Sequence, residues 1–238
     1  MDKPIKALLL AAGLGTRLKP LTLNIPKCLV EINHKPVIEF WFEKFEKIKI
    51  QEVIINTHYL HQKVEKYIET QYFRKFLLKT IFEKRLLGTA ATLIQNKRFF
   101  SNSLGLLIHA DNFTNIDLEN LINAHKNKPK DCILTMLTFS TKEPQKCGIV
   151  QLDNQGIMSA FYEKVTNPIG NIANGAVYLF EDEFLQWLTL NNPNAKDFST
   201  EVIPKLVGKI FTYHTDSIYI DIGTLESLEE ARKMAKFF

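Results

Sequence analysis

The sequence predicts a mixed α/β fold: a doubly wound, mixed sheet with a small antiparallel element added in its second half. Three observations lead there. Strand and helix signals alternate from residue 5 to residue 139, the first strand signal is an apolar run, and after residue 139 the strand signals crowd together around a turn tetrapeptide. Residues 5–10 read as a strand buried on both faces. Residues 37–45 carry apolar side chains at helical spacing with Glu and Lys between them. Strands are then expected at 52–55, 76–82, 104–109 and 133–139, and helices at 61–70, 90–96 and 118–125. Such β-α repetition predicts parallel pairing. Further on, 148–152 and 157–162 flank Asp153-Asn154-Gln155-Gly156, a hairpin signal. Another strand is expected at 173–180, with helices at 183–188, 201–206 and 225–236. No Pro- or Gly-rich linker, repeat or low-complexity segment divides the 238 residues, so 1–238 reads as one mixed domain.

Composition narrows the function classes. Hydrophobic residues make up 45% and charged residues 24%, values of an ordinary globular protein with a real core. No apolar run approaches the roughly 20 residues that cross a bilayer, and the start lacks the basic, apolar and small-residue order of a signal peptide. No membrane partner is expected. Cys28, Cys132 and Cys147 are odd in number and show no CxxC spacing, which predicts reduced thiols in a cytoplasmic protein. A net charge of +4 mildly favours anionic substrates and by itself predicts no nucleic-acid partner.

The most informative stretch follows the first strand: Leu10-Ala11-Ala12-Gly13-Leu14-Gly15-Thr16-Arg17-Leu18-Lys19-Pro20-Leu21-Thr22. Open α/β sheets bind ligands beyond the carboxyl ends of their strands. Gly13 and Gly15 would let the backbone turn sharply and bring N–H groups to phosphate oxygens. Arg17 would add bidentate charge-assisted bonds, and Lys27, after Pro26, a second cation. Leu18 breaks the GxGxxG dinucleotide pattern, and the stretch is not a GxxxxGK[ST] P-loop. A plain βα turn accounts for the two glycines alone but not for Thr16, Arg17, Pro20, Thr22, Pro26 and Lys27 together.

The run GxGTRLxPLT followed by Pro26-Lys27 resembles the sugar-1-phosphate nucleotidylyltransferases, the nucleotide-sugar pyrophosphorylases. The resemblance covers nearly the whole chain and is nearest to the bacterial guanylyltransferases acting on mannose or manno-heptose 1-phosphates. It implies a Rossmann-like fold of the nucleotide-diphospho-sugar transferase type. Residues 1–139 would then mainly bind nucleotide and 140–238 mainly sugar phosphate. Leu10, Ala11, Ala12, Gly13, Gly15 and Thr16 take nucleotide-binding roles.

The other motifs follow from the same resemblance. Glu83-Lys84-Arg85-Leu86-Leu87-Gly88-Thr89-Ala90 resembles E-x-x-P-L-G-T-A, with Leu86 in place of Pro, and puts Glu83, Gly88 and Thr89 at the base and ribose. Read without the family, this is a helix start with Thr89 as an N-cap. His109-Ala110-Asp111-Asn112 resembles N-G-D, and Tyr219-Ile220-Asp221-Ile222-Gly223-Thr224 resembles W-x-D-x-G-T with Leu225 replacing a usual Pro. Asp111 and Asp221 are thereby implied ligands of Mg²⁺, a hard cation that takes oxygen donors. Each also has a plain reading, Asp111 as a turn cap and Thr224 or Asp221 as a cap of the last helix. Gly148-Ile149-Val150, Glu163-Lys164 and Asn174-Gly175 resemble the sugar half, with Gly148, Glu163, Lys164 and Asn174 at the sugar phosphate. Taken alone, Glu163-Lys164 is a solvated charge pair.

The implied activity is transfer of a nucleotidyl group from GTP to mannose or manno-heptose 1-phosphate, with Arg17, Lys27, Asp111 and Asp221 catalytic. UTP and dTTP stay open as donors, as do a cytidylyltransferase on a non-sugar phosphate and a non-catalytic nucleotide-sugar sensor. A glycosyltransferase is disfavoured because Asp111-Asn112-Phe113 lacks the second Asp of D-x-D. No long segment follows Lys236, so a β-helical acyltransferase extension is not expected, and any homo-oligomer would use this domain's own surface.

Overall fold

A computed structural model describes residues 3–237; positions 1, 2 and 238 of the expected domain lie outside the described residues. The elements in chain order are β1 (Ile5–Leu10), β2 (Glu31–Ile32), β3 (Lys35–Pro36), α1 (Val37–Lys47), β4 (Glu52–Thr57), α2 (His61–Glu69) and β5 (Leu77–Phe82). Then come α3 (Thr89–Gln95), β6 (Leu104–His109), β7 (Asn112–Thr114), α4 (Leu118–Lys126), β8 (Leu134–Ser140), β9 (Gly148–Leu152) and β10 (Met158–Glu163). The chain finishes with β11 (Ile172–Phe180), α5 (Asp182–Asn191), β12 (Ile210–Thr215), β13 (Tyr219–Asp221) and α6 (Leu225–Met234). Parallel and antiparallel strand pairs both occur, so the fold class is the mixed α/β one the sequence predicts.

The chain forms two compact units that interleave along the sequence and do not divide at residue 139. The first holds residues 3–4, 87–107 and 118–216, and the second holds 5–86, 108–117 and 217–237. In the second unit β1, β4 and β5 run parallel, with Leu8 opposite Ile54 and Ile54 opposite Lys79. Ala7, Leu8, Leu9 and Ile55 have no exposed surface, as an apolar strand covered on both faces requires. Helix α1 buries Val37, Ile38, Trp41, Phe42 and Phe45, one face at three- and four-residue spacing. A further core gathers Leu18, Val30, Val37, Phe113, Ile222 and Leu228. Thr224 starts α6 with a reciprocal capping box to Ser227, so Thr224 and not Asp221 caps that helix.

In the first unit β10, β9, β11 and β8 pair antiparallel in that order, while β12 joins β8 in parallel. The strand expected at 133–139 as one more parallel member is therefore antiparallel to β11. Its parallel neighbour, β12, was not anticipated from the sequence. Asp153 Oδ1 accepts from the N–H of Gln155 and of Ile157 at 2.8 and 2.9 Å, closing the predicted hairpin turn. Phe100, Tyr178, Phe180, Phe184 and Phe198 pack as an aromatic core with ring centroids 4.7–5.9 Å apart. The helix expected at 201–206 is instead a wide π turn at Phe198–Val202 followed by a tight turn at Ile203–Leu206. Pro204 explains the break, since it has no N–H to continue an α ladder.

Among the described residues no helix is long and apolar enough to cross a membrane, and no disulfide is formed. Burial pushes the Cys28 thiol up to about 12, with Asp111 adding to the shift, so Cys28 acts as a small core residue.

Candidate active site

The loop after β1 is shaped by Gly15. Its φ of 64° is left-handed, and an added Cβ would lie 2.8 Å from the Thr22 methyl. The Gly15 carbonyl accepts from Leu18 N–H at 3.0 Å and from the hydroxyl of Thr22, a fully buried side chain, at 2.7 Å. Gly13 differs from the expectation: an added Cβ there meets nothing within 4 Å, so the sharp turn belongs to Gly15 alone. Leu18 anchors the turn in the core and leaves Arg17 exposed beside it.

A buried core side chain stands next to each candidate residue in this region. Arg17 precedes buried Leu18, Lys27 precedes buried Cys28, Asp111 follows buried Ala110, and Asp221 precedes buried Ile222. Each buried side chain helps hold its neighbour in place; burying Leu18 or Ile222 contributes about 2 kcal/mol that displacement would forfeit. The two aspartates, far apart in sequence, are joined by a short antiparallel ladder. Asp221 pairs with Asn112, Ile220 with Phe113 and Tyr219 with Thr114. Ile222 N–H closes it on the Asp111 carbonyl at 3.1 Å.

Lys27 lies between the carboxylates. Its Nζ donates to Asp111 Oδ2 and, at 3.0 Å, to Asp221 Oδ1. Burial pulls the ammonium pKa down, but Asp111 and Asp221 outweigh it and hold Lys27 above its ordinary range. Burial likewise raises the Asp111 carboxyl, while Lys27 and then His109 more than reverse the effect, leaving it lowered. Arg17 stands 3.9 Å from Asp221 Oδ2. Gly223 makes room for it: a Cβ there would come 2.7 Å from the Arg17 Nη2. The two carboxylates, bridged by Lys27 with Arg17 alongside, form an oxygen-donor pair suited to a hard metal that completes its shell with phosphate and water. Among the described residues no group of three or more His, Cys, Asp or Glu gathers as a closed metal cage.

Glu83, also in the second unit, is buried and held by three successive residues. Its N–H donates to the Thr57 carbonyl at 2.8 Å, its carbonyl accepts from His58 Nδ1 at 2.8 Å, and its Oε1 accepts from Asn56 Nδ2 at 3.0 Å. Asn56 Oδ1 accepts from Ala11 N–H at 2.7 Å. Sequence reasoning missed Asn56; its one signal was an amide ending an apolar strand run.

The remaining residues belong to the first unit. Gly88 has φ 95°, and a Cβ would strike the Lys196 carbonyl at 2.4 Å. Gly88, not Thr89, is the N-cap of α3, and the Thr89 hydroxyl instead accepts from Phe198 N–H at 2.7 Å. The expected Thr89 cap is corrected because the Thr92 N–H, the N3 donor such a cap would take, donates to the Gly88 carbonyl at 2.9 Å. Gly148 sits opposite Glu163 in the ladder, and a Cβ would meet Glu163 Oε2 and the Phe161 ring, both at 2.6 Å. Glu163 pairs with Lys164 Nζ at 3.1 Å, and Lys164 adopts a left-handed φ of 49°. Asn174 braces a bulge in β11: Oδ1 accepts from Ala176 N–H at 2.9 Å, and Nδ2 donates to the Tyr178 hydroxyl at 2.7 Å.

The Nucleotidyl transferase family model matches residues 6–236. A D-glycero-alpha-D-manno-heptose 1-phosphate guanylyltransferase of Campylobacter jejuni is 31% identical over 222 residues, 93% of this chain and 96% of that one. The mannose-1-phosphate guanylyltransferase catalytic subunit beta of Drosophila pseudoobscura is 30% identical over 224 residues, covering 92% of this chain and 59% of that one. This chain thus spans about three fifths of that longer relative. HddC of Yersinia pseudotuberculosis, solved with GMP-PN, shares the fold at a TM-score of 0.80 and 23% identity, over 98% and 99% of the chains. The site cluster stands within the matched span, and the chain belongs to the Nucleotidyl transferase family.

Proposed function

We propose that this protein transfers the nucleotidyl group of GTP to mannose or manno-heptose 1-phosphate, releasing pyrophosphate. The observation that carries this reading is the convergence of Lys27, Asp111 and Asp221, with Arg17 alongside, beyond the carboxyl ends of β1 and β6. The guanylyltransferase relatives support the choice of base and sugar.

A sugar phosphate is largely dianionic near neutral pH, so its oxygen attacks the α-phosphorus without a general base. The new P–O bond forms as the bond to the β-phosphate breaks, and the electron pair leaves with pyrophosphate. The protein then contributes positioning and charge stabilisation. Lys27 is assigned to the α-phosphate and Arg17 to the departing pyrophosphate. Ala11, Ala12 and Gly13 present backbone to the nucleotide; Gly13, open on its outer side, tolerates a close approach. Glu163, Lys164, Gly148 and Asn174 are assigned to the sugar 1-phosphate. Asp111 and Asp221 would hold Mg²⁺, which when bound neutralises phosphate charge.

Pyrophosphate release with Mg²⁺ tests the reading, across GTP, UTP, dTTP, CTP and ATP with mannose, manno-heptose, glucose and N-acetylglucosamine 1-phosphates. One strong pair, GTP with a manno-sugar, is expected. A preference for UTP or dTTP overturns the base, and no release from folded protein overturns the activity.

A further inference from the structure

We propose that Asn56 is a positioning residue that sets base selectivity by aiming the Glu83 carboxylate at the donor edge of guanine. This inference rests on the GTP reading above. Asn56 ends the ladder in which it stands opposite Leu10, and it is 4% exposed. Its amide orientation is fixed on both sides. Ala11 N–H can only donate, so Oδ1 faces it; a carboxylate accepts, so Nδ2 faces Glu83. One side chain therefore joins the start of the phosphate loop to a buried acidic group.

The chemistry of that acidic group selects the base. Guanine offers adjacent N–H donors at N1 and N2 on one edge, a match for the oxygens of a carboxylate. Uracil and thymine offer one N–H flanked by carbonyl oxygens, which a carboxylate repels. Thr57 and His58 grip the Glu83 main chain, while Asn56 bonds its carboxylate directly. No other uncharged side chain of similar size both accepts from Ala11 and donates to Glu83. An aspartate would keep the first bond and set an acceptor against Glu83; a leucine would lose both.

Inosine triphosphate, which lacks the 2-amino group, gives a readout that loss of stability does not move. Binding of GTP, ITP and UTP is measured calorimetrically with Mg²⁺ and without sugar phosphate, for wild type, Asn56→Leu and Asn56→Asp. Wild type is expected to favour GTP over ITP by about tenfold, the value of one good hydrogen bond to a charged group. In both variants that ratio should fall to about two or less. If Asn56→Leu fails to fold, the near-isosteric Asn56→Asp carries the test. A wild type that favours GTP with variants keeping the ratio overturns the role of Asn56 alone. A wild type that favours UTP, or is indifferent to the 2-amino group, overturns the guanine reading along with it.

Discussion

The two units handle buried polar groups in opposite ways. In the second, the buried Lys27 ammonium meets two carboxylates, and mutual attraction outweighs the cost of burial. In the first, the His125 imidazole is 1% exposed, shares Nδ1 with the Thr135 hydroxyl at 2.8 Å, and has Glu181 3.8 Å from its Nε2. Burial dominates there and pushes His125 down to about 4. Beside the residues assigned to the sugar, Lys164 and Ala176 take left-handed φ, at 49° and 51°. Charge balance holds the Lys27, Asp111 and Asp221 cluster in shape, whereas left-handed backbone recurs beside the residues assigned to the sugar. Substitutions in the Lys27 cluster should accordingly cost rate, and those among the residues assigned to the sugar should change stability or substrate affinity.

The largest effect is expected at Arg17. Its exposed side chain contributes little to the fold, so Arg17→Ala should leave thermal unfolding unchanged while kcat falls on the order of 10²–10³-fold. Near wild-type turnover would remove Arg17 from the reacting phosphates.

His125 comes next and concerns stability. The unfolded chain protonates His125 near 6.5 and the folded chain near 4, so between these values the unfolded state binds more protons. The neutral imidazole therefore favours folding fully above pH 6.5, and its contribution is lost as pH falls toward 4, on the order of 3 kcal/mol in all. Urea unfolding at pH 7 and pH 4.5 should show a markedly smaller difference in His125→Gln than in wild type. Equal pH dependence in the two proteins would contradict the assignment.

A smaller effect is expected at Gly148. Gly148→Ala places a methyl against the Glu163 carboxylate, raising the KM for the sugar 1-phosphate about tenfold with kcat little changed. An unchanged KM would separate Glu163 from the sugar. The smallest effect is a gain: Ala176→Gly should relieve the left-handed strain and stabilise the fold by up to about 1 kcal/mol, read as a rise in Tm of roughly 2–4 °C. A fall in Tm would mean that the bulge braced by Asn174 depends on the Ala176 methyl.

The alternation of 5–139 and the hairpin at Asp153 were legible because local periodicity and turn chemistry record them. The pairing of β8 was not, since an apolar run looks the same in parallel and antiparallel company. Strand β12, Ile-Phe-Thr-Tyr-His-Thr, carried the β-branched and aromatic signal and was overlooked. The ladder of β7 and β13 is too short to have a period, yet it brings Asp111 to Asp221. Motif resemblance pointed to both aspartates, but the amide of Asn56 belongs to no motif and emerges only where β1, β4 and β5 lie in register.

Isotope fate distinguishes nucleotidyl transfer from other phosphate chemistry most directly. With GTP labelled separately at the α- and γ-phosphates, Mg²⁺ and mannose or manno-heptose 1-phosphate, the α label should appear in the sugar product and the γ label in pyrophosphate. A γ label in the sugar product, or release of the γ label as orthophosphate with no α label transferred, would contradict it.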